Sequence, residues 1–311
     1  MFRRGEPLDA AVWYKLMLGL STRNYSKAVR AFAESYGIEK SAVSDHFVRV
    51  SREKLGGLLE RPLDKLKLCV LYIDGIEFKG QHLIVVLGIN IDGTKTVLGL
   101  RQGASENATV VGELLDDLVE RGVDFSVPML YVLDGAKALT KAVRKHAGSQ
   151  ALVQRCQLHK RRNVTGHLPE PYRDAVEHKM INAYQMTHYV DAKKALDRLH
   201  RELMDLNPSA ARSLAEGMEE TLTVHRLQLK GWLRSTLATT NPIESAFSVV
   251  DRICKRVKRW RRGDHRERWV GAGLWLAERN FRRVKGYKQL PKLLAELAKL
   301  NTPPPAQARA A

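Results

Sequence analysis

The sequence predicts an α/β protein, a small sheet with helices packed on it, and three observations carry that prediction. Apolar runs rich in Val, Ile and Leu cluster between residues 66 and 154. Helical periodicity fills the chain on either side of them. The composition, 44 % hydrophobic and 28 % charged with 22 Gly and 11 Pro in 311 residues, supports a packed core and excludes collagen-like or low-complexity sequence over most of the length.

The elements follow in order. Residues 8–60 read as helices, with apolar sets at Val12, Leu16 and Leu20, at Tyr25, Val29 and Phe32, and at Ile38, Val43, Phe47 and Val50. Within them, 26–36 and 40–51 are spaced like a helix-turn-helix with Gly37 at the turn, or like an ordinary helical hairpin. Strands are expected at 68–73, 82–91 and 96–100, the last two joined by an Asp92-Gly93 hairpin turn. A helix at 106–121, a strand at 129–133, a helix at 136–146 and a strand at 151–154 complete the order β-β-β-α-β-α-β, that of a ribonuclease H-like core. The strand signal then vanishes, and 168–237 reads as a helical insertion with helices at 189–204 and 209–222. Helices at 242–260 and 267–283 follow, then a Pro- and Ala-rich tail at 302–311 expected to be mobile. The expected organisation is thus a helical N-terminal DNA-binding region at 1–60, a core from 66–167 and 238–262, the insertion at 168–237, and a basic C-terminal helix and tail at 263–311.

Charge points to the partner. With 52 Lys and Arg against 34 Asp and Glu, the net charge is +18, and residues 251–288 alone hold fourteen basic against four acidic side chains. Such a surface lowers its free energy by displacing counterions from a polyanion, so a nucleic acid is the expected partner. No apolar stretch is long enough to span a membrane, and residues 10–20 are interrupted by Lys15 and lack a small-residue cleavage site. Cys69, Cys156 and Cys254 are too widely spaced for a disulfide framework. A cytoplasmic, nucleoid-associated protein with no membrane partner is the expectation.

Two apolar runs end in Asp-Gly, at Ile73-Asp74-Gly75 and at Leu133-Asp134-Gly135. Carboxylates at the ends of adjacent parallel strands converge on one crevice and can share a hard divalent cation, Mg2+ with Mn2+ as a substitute. The alternative makes Asp74 a turn residue and Asp134 a helix cap. A third acid stands at Glu244, in Thr239-Thr240-Asn241-Pro242-Ile243-Glu244. There Asn241 as N-cap and Glu244 three residues on also make a capping box, so metal ligand and cap both remain open.

These motifs, together with Arg155-Cys156-Gln157-Leu158-His159-Lys160 and Arg162-Asn163, resemble those of the Mutator-type bacterial insertion-sequence transposases, of the DDE class, over residues 66–286. Arg259-Trp260 and Arg268-Trp269 resemble the family's C-terminal stretch. The resemblance implies that Asp74, Asp134 and Glu244 are a catalytic set binding two divalent metals. It also implies double-stranded DNA as partner, with cleavage and strand transfer at the terminal inverted repeats of a mobile element, and a homodimer in a synaptic complex. A cellular nuclease or resolvase on the same core, or an inactive domesticated DNA-binding protein, are the alternatives. Cys156 and His159 match the family's Cys-x-x-His motif. Zinc is a poor reading because no second Cys or His pair stands at matching spacing. His159 is expected near the carboxylates as a catalytic group that orients water or contacts a phosphate, with Cys156 packed beneath it. Expected DNA contacts are Lys40, Ser44, His46 and Arg49 in the N-terminal region, Arg161 and Arg162 in the motif, and Arg256, Lys258, Arg259, Arg261 and Arg262 in the basic run. Trp232 has two expected roles, core packing foremost and stacking on an unpaired base second. Trp260, Trp269 and Trp275 are expected to bury against the core.

Overall fold

A computed structural model of the chain describes Trp13, Met17 and residues 40–78, 80, 82–103, 108–148, 151–255, 257, 260 and 263–300. The chain forms two compact units, one from residues 1–61 with 245–280, the other from 62–244 with 281–311.

The second unit is built on a five-stranded mixed sheet: β1 (Leu68–Glu77), β2 (His82–Asn90), β3 (Lys95–Gly103), β4 (Leu130–Leu133) and β5 (Leu152–Arg155), in the order β3-β2-β1-β4-β5. β1, β2 and β3 pair antiparallel, while β4 and β5 join parallel to β1. Antiparallel neighbours need only a hairpin, and Asp92 supplies it by accepting hydrogen bonds from the Thr94 N–H (2.9 Å) and hydroxyl (2.7 Å). The parallel pairings require crossovers, which are α2 (Ala108–Glu120) and α3 (Lys137–Ala147). Side chains alternate along each strand. Leu71, Ile73, Ile84, Val86, Leu98, Tyr131, Leu133 and Val153 therefore form one face of the sheet, packed under Leu114, Leu115 and Leu118 of α2 and Leu139 and Val143 of α3.

β1 departs from the expected bounds. It continues through Asp74-Gly75 to Glu77, because β2 keeps pairing with it, Ile76 opposite Leu83 and Glu77 opposite His82. Asp74 is therefore a strand residue and no turn.

After β5 come α4 (Gln157–Gly166), α5 (Glu170–Gln185), α6 (Tyr189–Leu206), α7 (Pro208–Ala215), and the short α8 (Met218–Thr221), α9 (Thr223–Arg226) and α10 (Gly231–Leu237). Helices α4 to α7 share a core of Val164, Leu168, Met180, Leu196, Leu203 and Leu214. The single helix expected at 209–222 is broken at Gly217, whose φ of 62° is left-handed. The short helices cover edge strand β5: the Thr223 hydroxyl donates to Val153 O (2.6 Å), and buried Gln154 exchanges bonds with Thr221 O (3.0 Å) and Val224 N (2.9 Å).

α11 (Asn241–Cys254) begins in this unit and ends in the other. It stops at Cys254, short of the expected Trp260. α12 (His265–Arg279) is close to expectation, whereas the sequence reading missed α13 (Leu290–Leu300), which buries Leu290, Leu293 and Leu297.

In the first unit, α1 (Lys40–Leu59) extends well beyond the expected end at Ser51, because Leu55 and Leu58 continue the buried stripe of Phe47 and Val50. The stripe packs with Ile253, Ala272, Leu276, Trp13 and Met17, and half-buried Trp269 and Trp275 lie against the same cluster. Phe47 meets Trp269 at 4.5 Å, and Trp13 meets Trp275 edge-on at 4.8 Å. The first helix of the expected helix-turn-helix and Gly37 lie outside the described residues, as does the tail from 301. No helix among the described residues is long and apolar enough to cross a membrane.

Candidate functional site

Register and alternation bring the two aspartates together. Ile73 pairs with Leu133 across the parallel β1/β4 ladder, so the next residues, Asp74 and Asp134, stand side by side on the sheet face away from α2 and α3. Asp74 is only 5 % exposed, and one of its oxygens accepts the Gly75 N–H (2.9 Å). Asp134 is half-buried and accepts the Ala136 N–H (2.7 Å). It is not the cap of α3, whose N-cap is Ala136.

The main chain then draws in the remaining groups. Cys156 N donates to Leu133 O (2.7 Å), prolonging the β4/β5 pairing beside Asp134, and Gln157 N donates to Ala238 O (2.9 Å), laying residues 238–240 against the start of α4. Buried Cys156 is the N-cap of α4, its sulfur accepting the His159 N–H. The same sulfur accepts the Thr240 N–H (3.4 Å), and the Thr240 hydroxyl oxygen lies 3.3 Å from it. Thr240 Oγ1 lies 2.6 Å from Glu244 Oε1 and 3.3 Å from His159 Nδ1. Thr240 has a place in the sequence motif but no role legible there, because its position at the centre of this cluster depends on contacts 81 and 84 residues away.

Glu244 does not complete the capping box. The Thr240 carbonyl accepts the first helical bond, from Glu244 N (3.0 Å), which makes Thr240 the cap and sets Glu244 one position too late.

The electrostatics tie these groups into one site. Burial pushes the Asp74 acid up to about 8; the charge of Asp134 adds to the rise, as does that of Glu244, while His159 and the Gly75 N–H oppose it. His159 is held at about 9, first by its hydrogen bond with Cys156 and then by the charges of Cys156, Asp74 and Glu244. Burial would raise the Cys156 thiol, but the hydrogen bonds from His159 and Thr240 bring it below its ordinary value.

Asp74, Asp134 and Glu244 offer the oxygen donors that a hard divalent cation takes, although their ligand atoms do not all lie within 4.8 Å of one another. The cluster that the described residues gather most tightly is a different one: donor atoms of Cys156, His159 and Glu244 lie within 4.8 Å of one another. It suits a structural zinc ion poorly, because three donors are one short of the four that a closed site takes.

One expectation follows for stability. Between pH 4 and 8 Asp74 keeps its proton in the folded chain and loses it in the unfolded one, so the metal-free protein should lose stability as pH rises through that window. Asp74→Asn should remove this slope and raise the Tm at pH 8 by several degrees, about 2–4 °C for each kcal/mol of repulsion relieved. Thermal melts in chelator at pH 5 and pH 8 read both effects, and a wild-type Tm that rises with pH would contradict them.

Two buried cations of the Arg155–Lys160 motif, given no role of their own by the sequence, tie the helical segment to this site. Lys160, fully buried, donates to Ser213 O (2.5 Å) in the last turn of α7 and to Glu216 O (2.5 Å) just beyond it, and burial brings its amine down to about 8. Arg155 donates to Glu216 O (3.1 Å) and passes beside Gly135, next to Asp134.

The other expected contacts divide. Arg49 and Arg162 are exposed, Arg49 lying 3.9 Å from Glu53, and Arg161 is half-buried and paired with Glu177 (3.0 Å). Lys40, Ser44 and His46 fall on α1, but their side chains are outside the described residues, as are Arg256, Lys258, Arg259, Arg261 and Arg262. Trp232 corrects the core-packing expectation. It is 68 % exposed, with the Lys285 ammonium 5.2 Å from its ring centroid, because α10 turns Leu233 and Leu237 inward instead.

The family model described as "Transposase, Mutator family" matches residues 2–282. The chain is 27 % identical over 239 residues to the transposase for insertion sequence element IS6120 of Mycolicibacterium smegmatis, covering 75 % of this chain and 72 % of that protein. It is 28 % identical over 176 residues to the transposase for insertion sequence element IST2 of Acidithiobacillus ferrooxidans, covering 57 % of this chain and 58 % of that one. To the transposase for insertion sequence element IS905 of Lactococcus lactis subsp. lactis (strain IL1403) it is 26 % identical over 262 residues, covering 82 % and 64 %. The chain thus spans less than two thirds of the length of the latter two relatives.

Proposed function

This chain belongs to the Mutator family of transposases, and on that premise we propose that it cuts DNA at the terminal inverted repeats of its own mobile element and joins the freed 3′-hydroxyl to a new phosphodiester. The observation that carries the reading is the place of Asp74 and Asp134, each one residue past the paired Ile73 and Leu133 of adjacent parallel strands, with the Glu244 charge acting on Asp74. The sheet order β3-β2-β1-β4-β5, antiparallel then parallel, supports a ribonuclease H-like core, and residues 168–237 act as its insertion domain.

Asp74, Asp134 and Glu244 would hold the divalent metals, Mg2+ or Mn2+. Bound there, the metals would acidify the attacking water or hydroxyl and neutralise the leaving oxygen. The protein's part is to fix the donors. The Gly75 and Ala136 N–H groups orient the two aspartates, and the Thr240 hydroxyl holds Glu244. Protonated His159 sets a positive charge beside them, suited to the phosphate being transferred. Two such sites acting on two ends call for a homodimer in a synaptic complex, and the basic run at 251–288 supplies phosphate contacts.

Exposed Trp232 with Lys285 over its ring suits stacking on an unpaired base of the DNA end. Trp232→Ala should weaken binding of ends with unpaired bases by about 1–3 kcal/mol, and Trp232→Phe should recover most of it. Fluorescence anisotropy with fully paired and frayed ends separates this from a general loss, since equal weakening on both would contradict stacking. The function itself is tested by incubating the protein with Mg2+ and DNA bearing the element's ends, and looking for joined products.

A further inference from the structure

Between α4, α5 and α10, lined in part by the chain neighbours of His159 and Thr240, lies a cavity of about 240 Å3. Leu158, Ile181 and Tyr184 supply apolar wall, and Arg161, Arg234 and Thr239 supply polar wall. A dry apolar cavity of roughly 150 Å3 takes a benzene ring, so this one has room for a single nucleobase.

Two observations indicate that it is built for a polar ligand. The Thr239 hydroxyl is buried and has no hydrogen-bond partner, an arrangement that costs free energy unless something fills the place. The Arg234 guanidinium is held rigidly, donating to Met186 O (2.8 Å) and Gln185 O (3.0 Å) at the end of α5, and no carboxylate pairs with it among the described residues. A fixed cation met only by carbonyl dipoles keeps its charge for a ligand.

The place of the cavity names the ligand class. Thr239 adjoins Thr240, whose hydroxyl holds Glu244, and Leu158 adjoins His159. We infer that this cavity receives one unpaired nucleotide of the DNA strand adjacent to the cut, its base between the apolar walls and its polar edge or phosphate on Thr239 and Arg234. The inference rests on the proposed DNA-cutting activity and adds to it a subsite separate from the exposed Trp232 ring.

The test places 2-aminopurine at successive positions across the cut site and reads its fluorescence with full-length wild type, with Ser235→Trp, which fills the cavity from its exposed lining residue, and with Thr239→Val, which keeps the shape and removes the hydroxyl. One position should brighten several-fold on wild type as its base leaves the stack. Ser235→Trp should erase that signal and Thr239→Val should reduce it, with duplex affinity changed by no more than about twofold, because phosphate contacts elsewhere carry the affinity. No responding position, or equal brightening in all three proteins, would overturn the inference. So would saturable binding of a free deoxynucleoside monophosphate that DNA does not displace, which would assign the cavity to a free nucleotide. Wild type that cuts and joins while the cavity variants behave alike removes the subsite only. Wild type that neither cuts nor joins removes the functional reading, and the fluorescence still decides whether a base enters.

Discussion

Replacing Asp134 by Asn is expected to abolish metal-dependent strand cleavage and joining, by at least about 10³-fold, while binding to the same DNA stays within a few-fold. The amide keeps the size of the side chain and can still accept the Ala136 N–H bond that orients it, so the turn after β4 survives. What it loses is the negative charge beside Asp74, and with it the demand for a divalent cation. The same substitution should therefore let the Asp74 acid fall towards its ordinary range, since the Asp134 charge is one of the causes holding it up. Gel-shift binding and denaturing-gel cleavage of the same labelled DNA end check both parts. Retained joining by Asp134→Asn, in Mg2+ or Mn2+, would remove Asp134 from the catalytic set.

Gly135→Ala is expected to destabilise the fold by about 2–5 kcal/mol, through the left-handed backbone and the clash together. The residue has a φ of 108°, and an added Cβ would stand 2.0 Å from Arg155 Nε and 2.7 Å from its Cζ. Arg155 cannot simply step aside. Its Nη1 donates to Glu216 O (3.1 Å), and it also packs against Gly217, where a Cβ would stand 2.7 Å from Nη1. The substitution thus strains the turn that carries Asp134 and the joint to the helical segment at once. Gly57→Ala, on a helix with open space around it, is the control and should leave the Tm unchanged or slightly raised. Thermal melts of both variants check this, and a Gly135→Ala protein as stable as wild type would contradict the packing.

Much of the sheet was legible because its strands are short apolar runs closed by turn chemistry: β2 and β4 differ from expectation by one residue, and Asp92 makes the hairpin turn assigned to it. The end of β1 was not. Asp74-Gly75 reads as a turn when taken alone, and only the continued pairing with β2 keeps it extended. Helix breaks were legible only in part: Gly217 stands inside an otherwise periodic stretch, where a glycine lowers helix propensity without fixing a left-handed φ. α13 was hidden inside a segment read for its charge, although Leu290, Leu293 and Leu297 carry helical spacing.

At the site, the three acids and the Cys-x-x-His pair were visible because motif spacing is local to each element. The supporting groups were not. Thr240, Lys160 and Arg155 earn their places through partners 53 to 84 residues distant, and burying a charged side chain on main-chain carbonyls leaves no local signature. Trp232 was misjudged for the related reason that a large apolar ring is expected inside, and only the neighbouring Leu233 and Leu237 reveal which side of α10 faces the core.

The most direct test of the central claim is a strand-transfer assay with the purified full chain, Mg2+, labelled DNA carrying the ends of its own element, and a circular target. Metal-dependent nicks at the element's ends are expected, followed by labelled DNA covalently joined to the target through its 3′-hydroxyl. Nicks without joined product would make the protein a nuclease on this scaffold, and tight binding without nicks in either Mg2+ or Mn2+ would contradict the catalytic reading of Asp74, Asp134 and Glu244.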